Sequence, residues 1–100
     1  MTPGQHNNLW LFRRRFGFPQ KVVARLLGHG STSIVSEYER GVKTPPLPVA
    51  LKFQHIYGVP LTELFPGINS LVTAEVDGVR QRFPHIARYE DALPANAGSA

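Results

Sequence analysis

Glycine and proline divide this chain of 100 residues into short stretches, most of which repeat apolar residues at helical spacing. Glycine readily takes the left-handed conformation that ends a helix, and proline cannot continue through a helix interior. The interruptions fall at Gly17, Pro19, Gly28, Gly41, the prolines between residues 45 and 48, Gly58, and Pro66 with Gly67. The pattern therefore predicts an all-α fold built from short helices.

Five helices follow from these interruptions and from the spacing of the apolar residues. Asn7 or Asn8 is suited to cap the first helix, since a side-chain oxygen there can accept a bond from a free N–H of the first turn. Ser31 or Thr32 is suited to cap the third helix in the same way. The five predicted helices cover residues 8–16, 19–27, 31–40, 47–57 and 61–65. The fourth should point most of its apolar residues inward, namely Leu47, Ala50, Leu51, Phe53 and Ile56.

The segment after residue 66 has a weaker helical pattern. Ser70 can cap a sixth helix, although Gly78 and the β-branched residues lower its helix propensity. Its apolar positions are Leu71, Ala74, Val79 and Phe83. Residues 92–100 are small and polar, so we expect a frayed end. The predicted organisation is an N-terminal arm (1–8), a helical domain (9–66) and a C-terminal extension (67–100) that is partly helical and then disordered.

Basic charge is concentrated in the region with the clearest helical pattern. The chain has a net charge of +4 and a pI of about 10.0. Residues 9–65 hold eight basic and three acidic side chains, whereas residues 66–100 hold three and four. This bias favours a polyanionic partner, nucleic acid first, and the alternative is a basic surface that serves solubility alone.

The sequence lacks the residues that several other classes of function require. The chain has no cysteine, which excludes disulfides, thiolate metal sites and a cysteine nucleophile. The four histidines are 23, 26 and 30 residues apart, which is not a metal-binding spacing, and no catalytic set of residues is evident. We therefore expect no enzyme, cofactor or metal site. The absence of an apolar leader and of a long apolar run predicts a cytoplasmic protein without a membrane span.

A series of short motifs resembles a known family. In chain order these are an arginine seven residues before the Gln of "PQ", the "Q…A…LLG" of the second helix, "YERG", a proline after a short basic loop, and "YGVPLTELF". Together they make residues 9–66 resemble the phage repressor/Cro-like helix-turn-helix family, also called the xenobiotic-response-element type, and "LLGH" resembles one sub-group of it. The resemblance implies a compact five-helix fold like that of lambda repressor.

The function that the resemblance implies is sequence-specific binding of double-stranded DNA by a transcriptional regulator, in particular a repressor. A homodimer on a palindromic operator is expected, because one recognition helix reads too few bases. The helix over residues 31–40 would enter the major groove and contact bases through Thr32, Ser33, Ser36 and Glu37. Contacts to DNA phosphates would come from Gln20, Lys21, His29, Ser31, Arg40 and Lys43.

The resemblance also assigns a structural role to Arg13 and Glu39, which occupy the positions of a buried ion pair in the family. The alternative for this pair is two solvated charges. For Ser31 and Thr32 the alternative is helix capping, and for Glu37 it is a surface pair with Arg40 or Arg14. The turn between the second and third helices is one residue longer than is usual in the family, which leaves the register of the base contacts open.

A different function remains for the same fold. Helix-turn-helix domains of this family also serve as antitoxins, which bind a protein toxin and regulate their own promoter. The extension over residues 67–100 would then bind the toxin. In the repressor interpretation dimer contacts are expected from residues 59–65, and the extension either adds to these contacts or is dispensable.

Overall fold

A computed structural model describes residues 6–91 of the protein, and the features predicted at residues 1–5 and 92–100 lie outside the described residues. Within that range the chain forms seven helices and no strand, which confirms the predicted all-α fold. Five short helices come first: α1 (Leu9–Phe16), α2 (Gln20–Leu27), α3 (Thr32–Glu39), α4 (Leu47–Tyr57) and α5 (Leu61–Leu64). The extension adds α6 (Pro66–Arg82) and α7 (Ile86–Asp91).

Local signals set the end of α2 and the start of α3. Gly28 has a φ of 83°, and the N–H of the next residue, His29, donates to the carbonyl of Ala24 at 2.9 Å. This left-handed turn ends the helix as expected of glycine. Ser31 caps α3, because its hydroxyl oxygen accepts a hydrogen bond from the N–H of Ser33 at 3.2 Å.

Asn7 and Asn8 have different structural roles at the start of α1. The side-chain oxygen of Asn7 accepts from the N–H of Leu9 at 3.0 Å, whereas the side chain of Asn8 forms no cap. Asn8 instead joins α1 to α5: its backbone N–H donates to Leu64 O and its side-chain amide to Glu63 O, both at 2.8 Å. These two hydrogen bonds connect the first helix of the domain to its fifth.

The core is formed by side chains from α1 through α5, with Phe53 of α4 at its centre. The ring of Phe53 stacks on Tyr57 with 6.2 Å between centroids and meets the edge of Tyr38 at 6.0 Å. Such aromatic pairs add to the stabilisation that comes from burying apolar area. The buried apolar side chains are Leu9, Val23, Ala24, Leu27, Val35, Tyr38, Ala50, Phe53, Tyr57, Leu64 and Phe65.

The predicted inward face of α4 is wrong for two leucines. Leu47 is 65% exposed and Leu51 is 46% exposed, whereas Tyr57, which directly follows the last predicted member Ile56, is buried. The inner face runs through Ala50, Phe53 and Tyr57, at helical spacing. Leu51 is rotated away from this line, and Leu47 stands at the helix start beyond the edge of the core.

The prediction that Pro66 and Gly67 close the fifth helix and that Ser70 caps the sixth is also wrong. Phe65 (φ −127°, ψ 62°) breaks the chain for one residue, and α6 begins at Pro66. Proline suits this first position because its fixed φ is helical and its missing N–H would be unpaired there. The positions predicted to form an apolar face on this helix, among them Leu71, Val79 and Phe83, are exposed. None of the helices between residues 6 and 91 is long and apolar enough to cross a membrane.

Candidate nucleic-acid interface

Helices α2 and α3 pack against each other across a turn formed by residues 28–31. Val23, Ala24 and Leu27 of α2 are buried, as is Val35 of α3. The small side chain at Ala24 allows the two helices to approach closely. α3 buries Val35 and Tyr38, and the packing leaves Thr32 and Ser33 exposed and Ser36 and Glu37 half-buried.

A lysine from α4 supports the turn between these helices. Lys52 Nζ donates to the carbonyl of Leu27 at 3.0 Å, at the last residue of α2. A positive charge at a helix C-terminus pairs with the carbonyls that have no partner within the helix. The sequence pattern gave no signal for Lys52, because its partner is distant along the chain.

The start of α3 presents small hydroxyl side chains. Thr32 and Ser33 are exposed, as a base-contacting role requires. The hydroxyls of Ser31 and Ser33 are 2.6 Å apart and share a hydrogen bond. Ser31, predicted to contact phosphate, is thus engaged in the cap of α3. Each hydroxyl keeps further hydrogen-bonding capacity, because it has one donor and two lone pairs.

The later residues of α3 are paired with cations. Ser36 is half-buried and accepts a hydrogen bond from Arg40 Nε at 3.3 Å. Glu37 is also half-buried and forms an ion pair with Lys43 Nζ at 3.4 Å, rather than with Arg40 or Arg14. Two predicted base contacts are therefore adjacent to two predicted phosphate contacts.

Arg13 and Glu39 lie together at the junction of α1, α2 and α3. Arg13 Nε donates to Glu39 Oε2 at 2.6 Å and Arg13 Nη2 donates to Glu39 Oε1 at 3.2 Å. Gln20 Nε2 also donates to Glu39 Oε1, at 3.1 Å. The carboxylate thus accepts three hydrogen bonds in a nearly solvent-free position, and the first residue of α2 is bonded to the last residue of α3.

Tyr57 lies within the electrostatic reach of this network. Burial raises the pKa of the Tyr57 phenol, the charge of Glu39 raises it further, and the charge of Arg13 opposes the shift. The hydroxyl is buried without a hydrogen-bond partner among residues 6–91. The phenol is therefore neutral at physiological pH.

A cleft of about 520 Å³ lies between the start of α1 and the end of α3. Its walls include Gln20, Ser36 and Arg40, which are predicted DNA contacts, and also Trp10. Trp10 is 50% exposed, and the guanidinium of Arg14 lies 4.9 Å above its ring. The sequence pattern gave no signal for Trp10 at this site, since its position follows from how α1 packs.

The remaining predicted phosphate contacts differ in accessibility. Lys21, Arg40 and Lys43 are exposed, and His29 is half-buried. The Nε2 atom of His29 is buried with no hydrogen-bond partner in the described part of the chain, so this atom is not presented to DNA in the conformation observed. Across residues 6–91 no group of three His, Asp or Glu side chains is placed to hold a metal ion.

Comparison with known proteins agrees with this geometry. A family model described as helix-turn-helix matches residues 11–64, from the third residue of α1 to the end of α5. The match covers more than half of the chain and contains the whole α2–turn–α3 unit. No curated protein sequence matches the chain. The chain therefore belongs to the Cro/repressor-like helix-turn-helix family, whose members are DNA-binding regulators of transcription.

Proposed function

We propose that the protein is a transcriptional repressor that binds a palindromic operator as a homodimer, with α3 in the major groove. The observation that carries the proposal is the exposed start of α3, where Thr32 and Ser33 face solvent directly after the turn. In helix-turn-helix proteins the N-terminal residues of the second helix reach the base edges. In this proposal residues 9–66 bind DNA, and the extension from residue 67 joins two copies.

The proposed reading face combines three hydroxyls with one carboxylate, on Thr32, Ser33, Ser36 and Glu37. Hydroxyls can donate to or accept from several bases, whereas ionised Glu37 only accepts and suits the N4 amino group of cytosine. In the free protein Glu37 is paired with Lys43 on a partly exposed surface. Such surface pairs contribute only about 0–1 kcal/mol, so DNA can displace the pair at little cost. Glu37 then turns to a base, and Lys43 turns to a phosphate.

The proposed phosphate contacts begin at Gln20, the first residue of α2. Free N–H groups and the helix dipole favour an anion there. The side-chain amide of Gln20 has two hydrogens, and the bond to Glu39 uses one of them. The other hydrogen is free to be donated to a phosphate oxygen by an amide that Glu39 already orients. The further proposed contacts are Lys21, His29, Ser31, Arg40 and Lys43.

Selection of binding sites from random DNA, followed by fluorescence polarisation at two salt concentrations, tests the proposal. A palindromic site is expected, with affinity that falls steeply as salt rises, since each neutralised phosphate contributes a slope of about −0.9 in log affinity against log salt. Absence of binding at low salt, or affinity that does not depend on salt, would contradict DNA binding by this chain.

Two variants test the division between base and phosphate contacts. Glu37→Ala should change the preferred base at one position of each half-site, because it removes an acceptor from the reading face. Arg40→Ala should weaken binding to all sequences alike and make the salt slope shallower by about one. Equal effects of the two variants on specificity would overturn the assignment.

An antitoxin is the second candidate function. One observation favours it: the exposed apolar side chains along α6 suit a protein partner. A stable stoichiometric complex with a toxin from the native host, lost when the chain ends at residue 66, would support this function. A chain that associates only with itself and with DNA would exclude it.

A further inference from the structure

The cleft between the start of α1 and the end of α3 contains an aromatic side chain that the proposed function does not use. Gln20, Ser36 and Arg40 line this cleft, and each is a proposed DNA contact. Trp10 of α1 lines the same cleft and is 50% exposed. Tryptophan is favoured at interfaces, because its ring offers a large apolar area together with a polar N–H group. Trp10 is therefore a candidate for contact with the same partner.

Two attachments hold α1 against the end of α3 on this side of the molecule. Asn7 Oδ1 accepts from the N–H of Leu9 at 3.0 Å, and Asn7 Nδ2 donates to the carbonyl of Tyr38 in α3 at 2.9 Å. Further along α1, the ion pair of Arg13 with Glu39 joins the same two helices again. The indole lies between these attachments along the chain. Its position relative to α3 is thus set before a partner binds, which lowers the entropy lost on binding.

The accessible charge around the indole is positive. The guanidinium of Arg14 lies 4.9 Å from the centre of the Trp10 ring, which is a cation–π geometry, and both side chains are exposed. Arg40 lines the cleft and is exposed as well. Glu39 is the one carboxylate among the described lining residues, and its side chain is 5% exposed and accepts three hydrogen bonds. This distribution of charge suits a polyanion.

We propose that Trp10 and Arg14 bind the sugar–phosphate backbone of DNA beside the major groove that α3 enters; the inference rests on the proposed function. The indole packs on a deoxyribose, and the guanidinium of Arg14 contacts the adjacent phosphate. A DNA strand alternates an apolar sugar face with an anionic phosphate. The stacked pair of Trp10 and Arg14 presents the complementary apolar area and positive charge side by side.

The position of Trp10 favours the backbone over the bases as its contact. Bases are read from the start of the recognition helix, whereas the cleft with Trp10 includes Ser36 and Arg40 at the later part of α3. The cleft also includes Gln20, the proposed phosphate contact at the first residue of α2. Sugar and phosphate receive half or more of the hydrogen bonds in protein–DNA complexes. Trp10 and Arg14 therefore extend the proposed backbone contacts from α2 onto α1.

Tryptophan fluorescence of the full chain tests the contact directly. Trp10 is the only tryptophan of the sequence, so the emission reports on this site alone. The protein is titrated with a short mixed-sequence duplex at low salt, and separately with the operator selected from random DNA. Both duplexes should change the emission in step with binding, because the backbone is common to all sequences.

Quenching by acrylamide measures the accessibility of the same ring. The quenching constant of Trp10 should fall about twofold or more when DNA binds, because the half-exposed ring becomes covered by a sugar. N-acetyltryptophanamide mixed with the same duplexes is the control, since it corrects for light that the DNA absorbs. A fall in the protein and none in this control places the DNA at Trp10.

Three variants separate the apolar contact from the ionic one. Trp10→Ala should weaken binding to both duplexes alike, by about tenfold, because it removes an apolar contact that all sequences share. Arg14→Gln should make the salt slope shallower by about one, as for the loss of one phosphate contact. Arg15→Gln is the matched control, since Arg15 lies over the ring of Phe12 at 5.3 Å, about 140° around α1 from Trp10. It should leave the affinity within about twofold, because a charge away from the DNA is screened by salt.

The outcomes separate this contact from DNA binding as such. A wild-type protein that binds both duplexes without a change in the emission or quenching of Trp10 would overturn the contact and leave the proposed function standing. Loss of affinity for the operator alone in Trp10→Ala would overturn the backbone assignment, because the ring would then read a base. Equal effects of Arg14→Gln and Arg15→Gln on the salt slope would overturn the phosphate contact of Arg14. A chain that binds neither duplex at low salt would reject the proposed function itself.

Discussion

Glu39 Oε2 lies 2.6 Å from Arg13 Nε, and this contact joins the last residue of α3 to the middle of α1. The side chains are only 5% and 13% exposed, respectively. Arg13 also donates to the carbonyl of Phe18 at 3.0 Å, between α1 and α2. The orientation of α3, and with it the proposed reading face, therefore depends on one nearly buried ion pair that touches three helices.

Removing only one member of this pair should be costly. Arg13→Met leaves the carboxylate of Glu39 buried without its charge partner, and the free energy of unfolding should fall by about 3–5 kcal/mol. The double variant Arg13→Met with Glu39→Met should regain much of the loss, because no buried charge remains. Urea unfolding followed by circular dichroism measures both, and Arg25→Met, at an exposed position, is the matched control. A double variant less stable than Arg13→Met would contradict this account of the pair.

Because the hydroxyl of Ser31 caps α3, removing it should lower the stability of the protein more than removing the neighbouring hydroxyl of Thr32. Ser31→Ala removes the oxygen that accepts from the N–H of Ser33 and should lower the free energy of unfolding by about 1 kcal/mol. Thr32→Ala, one residue later, removes an exposed hydroxyl and should have a much smaller effect. Thermal or urea unfolding separates the two. Equal losses would show that the Ser31 hydroxyl is not the cap.

Lys52 should act on the turn of the helix-turn-helix unit. Lys52→Met removes the bond to Leu27 O and should lower the free energy of unfolding by about 1.5 kcal/mol. Amide hydrogen exchange should accelerate mainly in residues 27–31, where the end of α2 loses its partner. Lys21→Met, at an exposed position, serves as the control. Unchanged exchange in the turn would mean that Lys52 does not support it.

The buried phenol of Tyr57 should make the free energy of unfolding depend on pH in the alkaline range. Because burial raises the pKa of its phenol, the folded protein keeps this proton when the unfolded chain loses it. The unfolded state then binds fewer protons, so this contribution to stability is present below about pH 10 and is lost as pH rises above it. Tyr57→Phe should remove this part of the pH dependence and, having no unpaired hydroxyl, should cost little at neutral pH.

Urea unfolding between pH 8 and pH 11 measures the effect as a difference between wild type and Tyr57→Phe. Tyr89→Phe is the control, because Tyr89 is 72% exposed. The advantage of Tyr57→Phe over wild type should grow as pH rises past about 10. A difference between the two proteins that stays constant over this range would refute the contribution of Tyr57.

Several features of the fold could be predicted from the sequence because they are local. Gly17 and Gly28 end their helices in the left-handed conformation, and the hydroxyl of Ser31 caps α3, since each depends only on a few neighbouring residues. Pro66 was predicted to close the fifth helix, but it is the first residue of α6. The helix starts there because Phe65, which is buried in the core, has a non-helical backbone conformation.

The sequence by itself determined the helical class of this protein and the approximate extent of its first five helices. These follow from helix caps, helix breakers and apolar spacing, which act over one or two turns. The tertiary structure alone decided that Leu47 and Leu51 face outward, that Lys52 supports α2, and that Gln20 is bonded to Glu39. Each of these depends on how helices distant in sequence rotate against one another, and no local pattern encodes that rotation.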